Sequence, residues 1–288
     1  MTATHFRARR GLLLALAVWP VIALAQTPAG KDEFKPEVGQ AGKDVIWVPT
    51  PEFLVERMLQ MAQVGPNDLV VDLGSGDGRT VIAAAKKFHA NSVGIEYNPD
   101  MVALSKRNAD KAGVTADAKF IEADIFVSDF HKATVVTMYL LPDLNLKLRP
   151  KLLEMKPGTR LVSHQFTMGD WQPDEVSTFD GRTANFWIVP AKVEGDWKLS
   201  YGADKAKVVR TLNLKQTYQK VEGGVVAEGS ARLGLRDLRL RGDRFEFSFV
   251  DDRGILCEFS GRVLRSSIVG SMRAAGKPAG SFRAERAS

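Results

Sequence analysis

The 288-residue sequence is poor in the residues that build disulfides and metal sites, with one cysteine and four histidines. A single cysteine, Cys257, excludes an internal disulfide framework. His89, His131 and His164 have the spacing of a metal site neither with one another nor with Cys257, so no metal site is expected. No internal repeat is clear enough to indicate a solenoid or an array. These absences favour a globular protein whose stability rests on its apolar core.

The N-terminal region has the charged, apolar and small-residue order of a secretory signal. Three arginines lie within residues 7–10, an uncharged apolar run occupies residues 11–24, and Ala-Leu-Ala at 23–25 precedes Gln26. The run is shorter than the roughly 20 residues of a transmembrane helix. We therefore predict that residues 1–25 are a cleaved signal peptide and that the mature protein is periplasmic or secreted, without an integral span. An uncleaved anchor is the alternative, and the paired arginines also resemble an incomplete twin-arginine signal.

Charge is distributed unevenly along the chain. Residues 191–288 contain 19 lysines and arginines against 12 aspartates and glutamates, whereas residues 26–190 are net acidic. The basic residues lack the interleaved stacking aromatics that are typical of a nucleic-acid surface. The sequence therefore predicts no nucleic-acid partner, and a solvated surface of mixed sign explains the imbalance.

Residues 45–190 alternate between apolar runs of strand length and stretches with helical periodicity. A helix beginning near Pro51 leads into the first strand, and residues 26–44 are predicted to be a flexible lead-in without packing. The strand–helix alternation favours βαβ units and a mainly parallel sheet with helices on both faces. The predicted strands are 69–73, 92–95, 118–121, 134–140, 160–166 and a closing strand 185–189, and the later helices are 79–88, 99–112 and 144–155, the last broken or kinked at Pro150.

The pattern changes after Pro190 to short segments in which apolar residues alternate with polar ones. Gly223-Gly224, Gly242-Asp243 and Arg253-Gly254 punctuate these segments as hairpin signals. Residues 191–288 are therefore predicted to be a small antiparallel β domain, a partly closed barrel without a long helix. The predicted fold class is α/β in the first domain, followed by this β domain.

The clearest motif lies where the first strand turns into a helix, in the segment Asp72-Leu-Gly-Ser-Gly-Asp-Gly-Arg79. Glycines there let the backbone turn tightly and let a ligand approach without Cβ atoms in the way. The spacing G-x-G-x-G differs from the G-x-G-x-x-G of dinucleotide-binding folds. Asp72 and Asp77 also disfavour a pyrophosphate, because both place negative charge at the loop.

Carboxylates follow three successive strands. Asp72 ends the first strand, Glu96 ends the second, where a carboxylate can accept both hydroxyls of a ribose, and Asp124 follows the third, with Ile125 beside it for an adenine ring. Each acid alone has the simpler interpretation of a helix cap or a loop residue. Together with the glycine loop they predict a site for S-adenosylmethionine (SAM), whose sulfonium and ammonium groups attract carboxylates.

Three motifs together resemble the lysine methyltransferase family that includes the ATP synthase c-subunit lysine methyltransferases. They are the glycine loop at 72–79, the upstream Trp-Val-Pro-Thr-Pro at 47–51 and the downstream Tyr-Leu-Leu-Pro at 139–142. The resemblance covers about residues 45–171. It implies a Rossmann-like, seven-stranded methyltransferase sheet and SAM as the cofactor. The leader and the β domain are departures from the family, and they leave the methyl acceptor open.

The resemblance also implies roles for particular residues. Residues 47–50 would cover the cofactor, and residues 139–142 would line the acceptor site. The expected cofactor-binding residues are Trp47, Pro49, Thr50, Asp72, Gly74, Ser75, Gly76, Asp77, Glu96, Tyr97, Asp124 and Ile125, and the expected catalytic residues are Tyr139, Leu141 and Pro142.

Methyl transfer from a sulfonium is an in-line displacement, so positioning supplies most of the catalysis. Tyr139 is a candidate to orient the nucleophile, with packing at a strand end as its alternative role, and Leu141 and Pro142 are candidates to exclude water. The predicted function is SAM-dependent N-methylation of a protein lysine or another amine in the bacterial envelope. The alternatives are an exported binding module that retains SAM without catalysis and, as a minor option, a nicotinamide-dependent oxidoreductase.

Overall fold

The computed structural model describes residues 1–2, 34–202, 207–226 and 231–287. The chain divides into two compact units, Met1–Phe34 and Lys35–Ser288, and every helix and strand described below belongs to the second. The predicted signal peptide lies almost wholly outside the described residues. Within the described ranges, no helix has both the length and the apolar character needed to cross a bilayer.

Helices and strands alternate in the first half of the chain, and strands alone make up the second. The helices are α1 (Glu52–Met61), α2 (Arg79–Phe88), α3 (Pro99–Ala112) and α4 (Pro142–Leu153). The strands are β1 (Leu69–Leu73), β2 (Asn91–Glu96), β3 (Ala118–Glu122), β4 (Val135–Met138), β5 (Arg160–His164), β6 (Glu175–Phe179), β7 (Arg182–Ile188), β8 (Gly195–Tyr201), β9 (Val208–Thr217), β10 (Lys220–Val226), β11 (Leu233–Gly234), β12 (Arg236–Arg241), β13 (Arg244–Val250), β14 (Leu256–Val263), β15 (Ser267–Ala274) and β16 (Lys277–Arg286).

The first seven strands form one sheet in the order β3-β2-β1-β4-β5-β7-β6. Strands β1 to β5 are parallel, and β7 runs antiparallel to both of its neighbours. The predicted seven-stranded, mainly parallel α/β sheet is therefore confirmed. Because the strand order reverses between β1 and β4, a crevice opens at the carboxyl ends of these strands, where ligands bind in open α/β sheets.

Local sequence explains why these elements form. Strand β1 is buried at four of its five residues, as expected for a central parallel strand covered on both faces. Helix α3 begins at Pro99 after Asn98, whose side-chain oxygen accepts hydrogen bonds from two backbone N–H groups of the first turn, and the chain leaves the helix at Gly113 with φ 71°. These signals set the helix to the residues that the sequence predicts, 99–112.

Three predictions about this sheet were wrong in detail. Strand β7 is not the closing strand, because β6 lies outside it as the edge. Strand β6 was not predicted from the sequence. Its side chains are half-buried or exposed, so it lacks the alternation of apolar and polar residues that indicates a strand. Helix α4 runs through Pro150 without a break. Strand β5 ends at His164, two residues before the predicted end.

The last part of the predicted lead-in packs into a short hairpin, which corrects the expectation of an unpacked segment. Gly39 and Gln40 exchange backbone hydrogen bonds with Trp47, and Ala41 pairs with Ile46, so the hairpin spans residues 39–47. A Cβ atom at Gly42 would collide with the carbonyl oxygen of Val45. The glycines that suggested a linker are therefore the turn of this hairpin. The lead-in residues from 26 to 33 lie outside the described ranges.

Strands β8 to β16 form the predicted antiparallel domain, a nine-stranded sheet in the order β11-β10-β9-β8-β16-β15-β14-β13-β12. Its inner face packs the aromatic side chains of Trp197, Phe245, Phe247, Phe249 and Phe259, all nearly inaccessible to solvent. Hairpin turns occur at Gly242-Asp243 and Arg253-Gly254, as predicted.

Gly223-Gly224 is not a turn, and this prediction was wrong. Both glycines lie inside β10. A Cβ atom at Gly223 would collide with the carbonyl oxygen of Asn213 on the neighbouring strand β9. The pair allows close approach of backbones in a bending sheet, which is the second common reason for glycine in a strand.

Candidate functional site

A cavity of about 330 Å³ lies at the carboxyl ends of β1, β2 and β4. The glycine loop forms its floor, and the segment from Gln40 to Thr50 lies along its side. The residues that follow β2, β3 and β4 complete the wall. The cavity therefore occupies the reversal point of the sheet, where the topology alone would place a ligand.

The structure brings the predicted site residues together around this cavity, with one exception. All twelve residues expected to bind the cofactor line it, and Tyr139 and Leu141 do so as well. Pro142 does not. It is an exposed residue at the first position of α4, where its fixed φ and missing N–H suit the helix start. Pro142 thus sets where the helix begins instead of lining the acceptor site.

The glycine loop requires glycine at its centre. Gly74, Gly76 and Gly78 have φ values of 77°, 52° and 84°, in the left-handed region that side chains with a Cβ rarely adopt. A Cβ atom at Gly76 would also lie 2.7 Å from Nε1 of Trp47. The glycine loop and the hairpin segment are therefore in close contact at this point, and the contact leaves no room for a side chain at position 76.

Asp72 is the most perturbed acid of the site. It is 6% exposed, and its Oδ1 accepts a hydrogen bond of 2.6 Å from Thr137 Oγ1 on the adjacent strand. Burial, with smaller contributions from the negative charges of Glu96 and Asp77, raises the pKa of Asp72 to about 7 despite the opposing effect of its hydroxyl donors. A carboxylate that is desolvated in this way is stabilised by any cation that enters the cavity.

Two acids of the cavity, Asp77 and Asp124, are paired with basic side chains. Arg79 Nη2 lies 2.6 Å from Asp77 Oδ2, and Lys43 Nζ lies 2.5 Å from Asp124 Oδ2 and over the ring of Tyr97. This contact with Lys43 holds the pKa of Asp124 below its usual range.

Glu96 and Asp72 remain without a basic partner among the described residues. The two oxygens of Glu96 accept backbone N–H groups, Oε2 from Gly76 at 2.9 Å and Oε1 from Asn98 at 2.9 Å. The centre of the cavity therefore carries negative charge that the described part of the chain does not neutralise.

The opposite end of the cavity is aromatic and apolar. The ring of Tyr139 lies 3.8 Å from that of His164 and is stacked with Phe166 at 6.1 Å, centroid to centroid. His164 Nδ1 is 3.0 Å from Thr50 Oγ1, and burial lowers the pKa of His164 to about 4. The histidine is therefore neutral at physiological pH and supports Tyr139 and Thr50 from behind.

Sequence reasoning missed several residues that line the cavity. Lys43 was assigned to the lead-in, and no local pattern relates it to Asp124, 81 residues away. Phe166 was predicted to lie inside a strand. In the structure it follows the end of β5, and other site residues also follow strand ends. Other lining residues outside the prediction include Arg79, Thr80, Asn98, Met101, Met138 and Leu144.

Comparison with known proteins agrees with this geometry. Residues 72–175 match the family model described as the ANTKMT methyltransferase domain. A protein-lysine N-methyltransferase of Saccharolobus islandicus is 48% identical over 146 residues, which cover 50% of this chain and 91% of that protein. The human ATP synthase c-subunit lysine N-methyltransferase is 36% identical over 132 residues, which cover 46% of this chain and 56% of that protein.

A solved structure from Salinibacter ruber, described as an RNA methyltransferase in complex with S-adenosyl-L-homocysteine, is also similar to this chain. It is 49% identical, the match covers 51% of this chain and 96% of that one, and the TM-score is 0.50. Its bound ligand is the demethylated product of SAM. The matches to these two proteins of 48% and 49% identity each cover about half of this chain.

The cavity meets the chemical requirements of SAM. Its glycine loop has no room for side chains, its central acids lack a basic partner within the described ranges, and a buried carboxylate there favours a cation. The oxidoreductase alternative finds no support in these relatives. The high identity over nearly the whole of two methyltransferases decides the family: this chain is a SAM-dependent methyltransferase and belongs to the family defined by the ANTKMT methyltransferase domain.

Proposed function

We propose that this methyltransferase transfers a methyl group to the side-chain amine of a lysine in an envelope protein. Support comes from the protein-lysine N-methyltransferases among its relatives and from the aromatic, apolar end of the cavity, which we call the acceptor end. The Salinibacter ruber relative, described as an RNA methyltransferase, makes RNA the second candidate substrate.

The observation that carries the proposal is the character of the acceptor end. Tyr139, Leu141 and Phe166 line it with apolar surface, and the histidine that supports Tyr139 is neutral. A lysine must lose its proton before it can act as a nucleophile, and an apolar, uncharged pocket lowers the pKa of an amine.

The other residues around the cavity would bind the cofactor and orient the substrate. Asp72 would hold the ammonium group of the cofactor, Glu96 the ribose hydroxyls, and Asp124 with Ile125 the adenine. Bound SAM would supply an electrophilic methyl group on its sulfonium sulfur, with S-adenosylhomocysteine as the leaving group. Tyr139 would orient the amine nitrogen in line with this bond, and Leu141 would exclude water.

The test is a labelling assay with both substrate classes. The purified mature chain is incubated with methyl-labelled SAM and either an envelope protein extract or total RNA from the same cells. We expect label that survives nuclease, is lost with protease and maps by mass spectrometry to lysine. The Glu96→Ala variant serves as the cofactor-site control and should transfer little. Label on RNA with none on protein would overturn the proposed substrate while leaving methyl transfer intact.

We further propose that the chain acts outside the cytoplasm. The support is the order of residues 1–25, in which arginines precede an apolar run and small residues precede Gln26. Cell fractionation and N-terminal sequencing test this, with a mature N-terminus near Gln26 expected. A cytoplasmic protein that retains its N-terminal residues would contradict it. Inhibition of the twin-arginine translocase then distinguishes the two export routes, since only a substrate of that system should accumulate inside as precursor.

A further inference from the structure

A second cavity, of about 480 Å³, lies in the β domain at one end of the nine-stranded sheet. Tyr201 and Val208, at the facing ends of β8 and β9, form one side of it. The turn between β13 and β14 forms another side, and Met272 and Ala279 of the β15–β16 hairpin close it. Deeper in the domain, the ring of Tyr201 packs edge-on against Phe259, so the cavity ends at the aromatic core.

Arg210 is the polar centre of this cavity. The residue is 8% exposed, its Nε donates to Tyr201 Oη at 3.0 Å, and its Nη2 donates to Asp252 Oδ2 at 2.5 Å. Its remaining nitrogen, Nη1, is buried and has no hydrogen-bond acceptor among the described residues. Buried guanidinium nitrogens normally find acceptors, because leaving them dehydrated and unpaired is unfavourable.

Asp251, the other acid that lines the cavity, does not supply that acceptor. Asp251 Oδ1 already accepts the backbone N–H groups of Arg253 and Ile255, each at 2.9 Å, and Oδ2 accepts the Arg253 guanidinium at 3.3 Å. Asp252 is half-exposed, so water screens its charge, whereas the guanidinium of Arg210 is buried. The cavity therefore presents a positive donor group at its inner end.

Val208, Ile255, Met272 and Ala279 add apolar surface around the guanidinium, and polar and apolar atoms share the lining about equally. The β domain as a whole is also basic, since lysines and arginines outnumber acids in residues 191–288 by 19 to 12. A ligand that suits this cavity has one anionic oxygen group and an apolar body. A polyphosphate would need several free donors, whereas Arg210 Nη1 is the one buried nitrogen of this lining that has no acceptor among the described residues.

We propose that the β domain binds a small amphiphilic carboxylate, with its carboxylate on Arg210 Nη1 and its alkyl part against the apolar wall. Arg–carboxylate hydrogen bonds are among the stronger ones in proteins, and burial of the alkyl part adds apolar contact. This site lies on the second sheet and is separate from the methyl-transfer cavity. It gives a ligand-binding role to the β domain, which lies beyond residues 72–175 that match the family model.

Calorimetric titration of the mature chain tests the proposal, with octanoate as the probe and 1-octanol as its uncharged counterpart. Octanoate should bind at least tenfold more tightly than octanol, and affinity should decrease from octanoate through hexanoate to butyrate. No binding of octanoate at millimolar concentration would overturn the proposal. Equal affinity for acid and alcohol would overturn the role of the guanidinium.

Three variants localise the binding. Arg210→Met should weaken octanoate binding at least tenfold, whereas Arg262→Met, which removes an exposed arginine paired with Asp243, should not change it. Ala279→Phe should fill the cavity and abolish binding with Arg210 intact, so it decides the matter if Arg210→Met fails to fold. Unchanged octanoate affinity in folded Ala279→Phe would place the probe elsewhere and refute the site.

Discussion

Burial of the Asp72 carboxylate lowers the stability of the fold at neutral pH, and the same carboxylate is proposed to bind SAM. The substitution Asp72→Asn separates these two effects. The pKa of this acid rises from an ordinary 3.8 to about 7 because its carboxyl group is buried. Between these two pH values the unfolded chain has lost the proton that the folded, ligand-free protein retains. Stability therefore falls as pH rises from about 4 to 7. Since one pKa unit corresponds to about 1.4 kcal/mol, the ionised carboxylate lowers stability at pH 8 by roughly 4 kcal/mol.

Asparagine keeps the shape of the side chain and an oxygen that can accept from Thr137, but it has no charge to desolvate. We expect Asp72→Asn to be more stable than the parent at pH 8 by roughly 2 kcal/mol or more, with this advantage absent near pH 4. SAM affinity should fall at least tenfold, because a charge-assisted hydrogen bond contributes about 1.5 to 3 kcal/mol. In the parent, SAM affinity should rise with pH up to about 7, as the carboxylate forms, and the variant should lack this dependence.

Urea denaturation and calorimetric SAM titration at several pH values from 4 to 8 measure both effects. Asp68→Asn is a matched control, because Asp68 is also largely buried at the start of β1 but is paired with Arg160. That variant should lose stability at neutral pH, since it leaves the half-buried guanidinium of Arg160 without its charged partner. If Asp72→Asn were less stable than the parent at pH 8 and bound SAM equally well, both the desolvation cost and the binding role would be refuted.

Three further substitutions probe the cavity. Glu96→Ala should lower SAM affinity at least tenfold while the chain stays folded, because a charged acceptor contributes about 1.5 to 3 kcal/mol; unchanged affinity by calorimetry would remove this residue from the cofactor site. Gly76→Ala should also abolish SAM binding, since its φ is 52° and its Cβ would meet the ring of Trp47, and circular dichroism should still report a folded protein. Thr50→Val should reduce stability to urea by about 1 to 3 kcal/mol, because His164 Nδ1 loses its buried partner; a change below about 0.5 kcal/mol would mean that this hydrogen bond is unimportant.

The sequence by itself determined the elements whose signals are local. Strand β1 was predicted at its observed bounds because a central parallel strand is a short apolar run. Helix α3 also has the bounds that the sequence predicts, and the structure shows local caps at Asn98 and Gly113 that set them. The glycine loop and the acids that follow the strands indicated a SAM site before any geometry was known, since parallel strands bring their carboxyl ends to one edge.

Only the tertiary structure decided which distant residues meet. Edge strand β6 has no buried face of its own, so its pairing with β7 is not visible in its residues. Gly223-Gly224 has the composition of a turn but lies where two strands come too close for a Cβ.

The same limit applies to both cavities. Lys43 reaches Asp124 only because the hairpin of residues 39–47 folds over the sheet edge. Arg210 has an unpaired nitrogen only because the β domain buries its guanidinium between three hairpins. Periodicity and capping act over a few neighbouring residues, whereas burial, pKa shifts and unpaired donors depend on how the strands close around one another. The physical state of these charged groups is therefore a property of the assembled fold.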